Sequence, residues 1–141
     1  MILDELHLYK EKRMKKTILT LMAAALMCSA MPGDDTLTKN GKQYVINTTA
    51  IAKDIKGYNG ATPLKIYITN NKIDKVEALP NEETPKYFFK VKKQVLGQWD
   101  GMTVNNAAKA KVDAVTGATM SSECVQKTLV RGLEYYKKNK K

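Results

Sequence analysis

Sixteen residues, Leu64 to Leu79, leave this chain little choice of local structure. Leu64-Lys65-Ile66-Tyr67-Ile68-Thr69 alternates with period two, which puts Leu64, Ile66 and Ile68 on one face of a strand. Asn70-Asn71-Lys72 then reads as a tight turn, because asparagine tolerates left-handed backbone angles. Ile73 to Leu79 runs back, and Pro80 ends the second strand. A β-hairpin is therefore predicted, with an earlier strand over Gln43 to Thr48, where β-formers cluster.

Helical patterns follow the hairpin. Glu83-Thr84-Pro85 opens a helix from about Lys86 to Leu96, with Phe88, Val91, Val95 and Leu96 as its apolar stripe and Gly97 as its stop. Trp99-Asp100-Gly101 reads as a turn, Met102 to Val104 as a short strand, and Val112 to Val115 as another extended piece. Asn105 to Lys111 reads as irregular or marginally helical. A final helix is expected over Ser122 to Tyr136, where Val125, Leu129, Leu133 and Tyr136 form a stripe. The sum is α+β: a small antiparallel sheet packed against helices in a single domain.

Residues 1–30 read as a leader. Lys15 and Lys16 precede an apolar run from Thr17 to Met27, and Cys28-Ser29-Ala30 offers small residues for cleavage. That run is shorter than the roughly 20 residues a membrane span needs. A cleaved signal peptide over 14–30 is expected, with residues 1–13 as an upstream start-site extension. A lipidated Cys28 is the alternative, and Met27 before it is larger than such a site wants. Residues 31–42 are read as a linker and 43–141 as the functional domain. The protein is thus expected outside the cytoplasm, in a periplasm or at the cell surface.

Residues 31–141 hold one cysteine, Cys124, and no histidine, since His7 lies in the leader. An intramolecular disulfide, the usual zinc sites and a histidine-based catalytic triad are all excluded for that part. It carries 19 basic against 11 acidic residues, a net of +8. No nucleic-acid role is expected for an exported chain; an anionic ligand, an acidic partner or an anionic surface suits the charge. Scattered lysines also serve solubility alone.

The chemistry-bearing segment is Asp113-Ala114-Val115-Thr116-Gly117-Ala118-Thr119-Met120-Ser121-Ser122. Four hydroxyls gather where a helix begins, and first-turn N–H groups there lack intrahelical partners. Such a place suits phosphate. Gly117 and Ala118 leave the backbone uncovered for close approach. Serine and threonine are also ordinary helix caps, so the physics alone leaves both readings open.

Asp113-x-x-Thr116-Gly117-Ala118-Thr119 resembles the flavinylation motif of the FMN-binding domain family. That family includes the C subunit of sodium-translocating NADH:quinone reductase and the G subunit of the Rnf complex. Gly57-Tyr58-Asn59-Gly60 with the hairpin resembles the family's upstream glycine loop, and Glu83-Thr84-Pro85 its Glu-Thr-Pro segment, with Lys86 where glycine is more usual. The resemblance spans about Gly57 to Tyr136.

The resemblance implies FMN carried covalently, moved from FAD by a flavin transferase onto Thr119 as a phosphodiester. Thr116, Ser121 and Ser122 are then expected to hydrogen-bond the phosphate, and Asp113 to orient the loop or be read by the transferase. Glu83 and Thr84 are weaker candidates for contacts to the flavin ring. Tyr58 is a candidate to stack on it; Trp99 is assigned to the core in preference to stacking. Cys124 is read as a buried packing residue. No catalytic residue and no metal site is expected.

An extracytoplasmic electron-transfer domain follows, working with redox partner proteins or a membrane electron-transfer complex. The alternatives are a flavin-dependent reductase of a small extracellular acceptor and a secreted binding module that is never flavinylated.

Overall fold

The computed structural model describes residues 35–141. The signal-peptide and Cys28 readings lie outside the described residues. Four strands form one antiparallel sheet in sequence order: β1 (Leu37–Asn40), β2 (Gln43–Asn47), β3 (Leu64–Thr69) and β4 (Lys72–Ala78). The predicted hairpin is β3–β4. Asn70 (φ 52°) and Asn71 (φ 59°) both take left-handed angles, and Lys72 pairs directly with Thr69.

β1 corrects the expectation of a linker over 31–42. Leu37 to Asn40 pair with Ile46 to Gln43. Gly41, at φ 62°, lets the chain reverse there. Three of the four β1 side chains are exposed, so backbone hydrogen bonds hold this strand, and no apolar pattern announces it.

On β4 the buried residues Ile73 and Val76 stand three apart, which strict alternation forbids. The register shifts between Tyr67 and Ile68, where Tyr67 pairs with Lys75 and Ile68 with Ile73. Asp74 is thereby left over as a bulge, and both apolar residues reach the core. Its carboxylate accepts from Thr69 Oγ1 (2.5 Å) and Gln43 Nε2 (2.8 Å).

Three helices follow: α1 (Pro85–Gln94), α2 (Val104–Lys109) and α3 (Thr119–Asn139). α1 stops short of Leu96, and a 3-10 turn over Leu96–Trp99 contains Gly97, so that glycine is not the helix stop. The stripe of Phe88, Val91, Val95 and Leu96 is buried as expected. Met102 to Val104 is not a strand: Thr103 makes one bridge to Lys72, and its side chain then caps α2 by accepting from the Asn106 N–H (3.2 Å). The cap turns Asn105 to Lys109 into a helix. Residues 112–115 form no regular strand.

α3 begins at Thr119, three residues before the expected start. Val125, Leu129 and Leu133 are fully buried and join Ile46, Leu64, Ile66 and Ile68 in one core. The closest approach is at Gly132, where an added Cβ would lie 2.7 Å from Ile66 Cδ1 and 2.9 Å from Thr48 Cγ2. Trp99 is fully buried in this core, as assigned. No helix among the described residues is long and apolar enough to cross a membrane.

Candidate functional site

Glu83 organises one end of the molecule. Its side chain is buried, yet it belongs to the short loop between β4 and α1. Oε1 accepts from the Tyr58 N–H (2.9 Å) and from Ser121 Oγ (3.1 Å), and Oε2 accepts from the Asn59 N–H (2.7 Å). A buried carboxylate needs such partners, and three donors from two distant segments supply them. The glycine loop, the Glu-Thr-Pro segment and the first turn of α3 are thus tied to one side chain.

Gly57 makes the clasp possible. A Cβ there would fall 2.0 Å from Glu83 Oε1. The Gly57 N–H donates to the Gly60 carbonyl (2.8 Å), closing the loop that presents the next two amides. Asn59 Nδ2 also reaches Thr84 Oγ1 (3.3 Å).

The loop into α3 sorts its hydroxyls. Ser122 is buried; its Oγ donates to the Ala118 carbonyl (2.8 Å) and accepts from the Val115 N–H (3.2 Å). Ser121 turns inward to Glu83. Thr116 and Thr119 face solvent. Gly117 takes φ 83°, with open space where a Cβ would stand. Ala118 is buried and occupies the helix N-cap without a side-chain cap bond. The first amides of α3 are therefore left for another acceptor.

These parts border a pocket of about 650 Å³ lined by Tyr58, Glu83, Thr84, Tyr87, Gly117, Ala118, Thr119, Met120 and Ser121. That volume is in the range of small-molecule and cofactor sites, roughly 300–1,000 Å³. Tyr58, Tyr87 and Met120 are large apolar side chains at 73 %, 45 % and 55 % exposure, an unusual concentration around one opening.

A family model described as the FMN-binding domain matches residues 57–134, more than half of the chain. The chain belongs to the FMN-binding domain family. No curated protein and no solved structure matches it.

Seven of the sequence candidates for this FMN-binding domain meet at the pocket: Tyr58, Glu83, Thr84, Gly117, Ala118, Thr119 and Ser121. Thr116, Ser122 and Asp113 are not among its lining residues. Ser122 corrects an expectation, because both of its hydrogen bonds go to the loop backbone and hold the turn rather than a phosphate. Ser121 likewise spends its proton on Glu83. Asp113 is exposed, and Gln98 clasps its backbone: Oε1 accepts from the Asp113 N–H (3.1 Å) and Nε2 donates to its carbonyl (3.2 Å). Cys124 is buried, with its sulfur accepting from Thr62 Oγ1 (3.0 Å).

Sequence reasoning missed Tyr87 and Met120. The available signal for Tyr87 was an aromatic residue lying off the buried stripe of its helix. Met120 carried no such mark, since nothing in the sequence says which way the second residue of α3 points.

A flavin mononucleotide fits what the residues present. Uncapped amides at the start of a 21-residue helix suit its phosphate. The two tyrosines and Met120 suit a flat apolar ring.

Proposed function

We propose that this FMN-binding domain is an exported electron-transfer protein whose FMN is joined through its phosphate to Thr119 Oγ1. The observation that carries the reading is Thr119 itself: a solvent-facing hydroxyl at the first position of α3, on the rim of the aromatic-walled pocket. A transferase needs that hydroxyl accessible. In the transfer, the Thr119 oxygen forms a bond to the FMN phosphorus of FAD, the pyrophosphate bond breaks, and AMP leaves while the hydroxyl gives up its proton.

Bound FMN supplies a ring that takes up one or two electrons. The rest is the work of the chain. The amides at the start of α3 would hold the phosphate, Gly117 would keep the approach open, and Tyr58, Tyr87 and Met120 would shelter the ring. Glu83 fixes the two loops that form the walls. A covalent link keeps the cofactor where free flavin is too dilute to refill an empty site. Export, by a signal peptide over 14–30 and into a periplasm or to the cell surface, belongs to the same proposal. So do redox partner proteins or a membrane electron-transfer complex.

Mass spectrometry tests the attachment. Protein made in a host with the flavin transferase is expected to gain the mass of FMN less one water on the peptide containing Thr119. Thr119→Val is expected to lose the whole increment and keep its fold, because the side chain is exposed. An unmodified wild-type chain from such a host would refute the proposal.

A further inference from the structure

α1 carries a second feature that the cofactor site does not use. Four of its ten residues are lysines, Lys86, Lys90, Lys92 and Lys93, and none is acidic. All four are exposed. At 3.6 residues per turn, Lys86, Lys90 and Lys93 fall within an arc of roughly 60° on the side opposite Phe88, Val91 and Val95. The outward ridge of the helix is therefore purely cationic.

Aromatic residues flank the ridge. Tyr87 lies on one side and is part of the flavin pocket's wall. Phe89 lies on the other at 62 % exposure, beside a second hollow of about 440 Å³ lined by Leu79, Pro80, Phe88, Phe89 and Lys92, among others. Glu83 lines both hollows, so the cationic ridge runs between two concavities at the same end of the molecule.

We infer that the outer face of α1 is the docking surface for an acidic redox protein, one with carboxylates clustered around its own electron carrier. The inference rests on the electron-transfer reading above and names the kind of partner that the site serves. Charge complementarity selects the occupant: a row of lysines steers and registers a carboxylate patch. Electron-transfer encounters are small, so one helix face with two exposed aromatic residues is enough area. A partner seated there touches Tyr87 and stands at the pocket's mouth. A lipid surface fits less well, because a helix lying in a membrane interface buries an apolar face, and here the apex is lysine.

The test uses flavodoxin, an acidic electron carrier, as the probe. Flavodoxin is reduced beforehand and mixed with the flavinylated full chain; each molecule gives up one electron, which the chain's oxidised FMN accepts. The second-order rate constant is expected to fall at least about tenfold between about 10 mM and 150 mM salt, as the screening length drops from about 30 to 8 Å. The triple variant Lys86→Glu, Lys90→Glu, Lys93→Glu is expected to lose at least about tenfold at low salt and most of the salt dependence. Its direct reduction by photoreduced 5-deazariboflavin, a small uncharged donor, is expected to match wild type.

A triple variant as fast as wild type with flavodoxin overturns the inference. So does binding of wild type, but not of the variant, to phosphatidylserine-containing vesicles without any effect on the flavodoxin rate. If the chain proves to carry no flavin, the electron-transfer reading fails on its own, and docking is judged by an NMR titration of ¹⁵N-labelled chain with oxidised flavodoxin. Low-salt shifts confined to the amides of α1 support the surface; shifts elsewhere, or none, overturn it.

Discussion

Within four turns of α3 the packing changes character. Around Leu129, Gly132 and Leu133 the helix lies on β2 and β3 mainly through apolar side chains, with Gly132 letting the backbone come close. Around Ser121 and Ser122 the same helix is buried just as deeply, but polar atoms hold it: one serine to Glu83, the other to the loop before it. The apolar seam spreads its stability over many side chains. The polar end concentrates three connections on one carboxylate, so single changes there disturb geometry more than they disturb stability.

The sharpest test of that contrast sets the two regions against each other. Leu129→Ala removes a fully buried side chain and is expected to cost about 2–5 kcal/mol in urea unfolding. Its folded fraction is expected to load flavin at the wild-type level. Glu83→Ala leaves two amides and a hydroxyl without their acceptor and is expected to cost less, about 2–3 kcal/mol. Its flavin loading is expected to fall steeply, with hydrogen exchange at Tyr58 and Asn59 faster than wild type. Equal loss of loading in the two variants would break the comparison.

Gly117→Ala narrows the question to the loop. Forcing alanine to φ 83° is expected to cost about 1–2 kcal/mol, read as a lowered unfolding midpoint. Space is not the obstacle there, so a relaxed loop that loads flavin normally would show that the left-handed angle is not needed for flavin binding.

The smallest expected effect lies on the solvent face of the sheet and serves as the control. The Lys75 ammonium 2.8 Å from Glu77 holds that carboxyl below its ordinary range, with Tyr67 donating to it as well. A depressed pKa stabilises the fold above the unfolded value and loses that contribution as pH falls through the folded one. Stability of wild type is expected to decline slightly on the acid side of about pH 4, and Glu77→Gln to flatten that limb without changing flavin loading. An effect on loading would mean that the sheet face and the site are coupled.

What could be read from the chain follows the range of the forces involved. The β3–β4 hairpin, the buried stripes of α1 and α3, and the Thr116-Gly117-Ala118-Thr119 segment are local patterns, set by period, turn residues and a contiguous tetrad. β1 escaped because backbone pairing holds it and three of its four side chains are polar and exposed. The bulge at Asp74 escaped because it answers to the register of a neighbouring strand. The role of Ser122 escaped because a hydroxyl at a helix start has several partners within reach, and only the path of the loop selects one.

The sequence by itself determined the α+β character, the helix that begins near Thr119 and the membership of a flavin-binding family, because each rests on residues adjacent along the chain. Only the tertiary structure decided that Glu83 ties residues 58, 59 and 121 together and that Tyr87 and Met120 wall the pocket. Those facts depend on segments tens of residues apart meeting in space, and spacing along the chain does not say which distant segments meet.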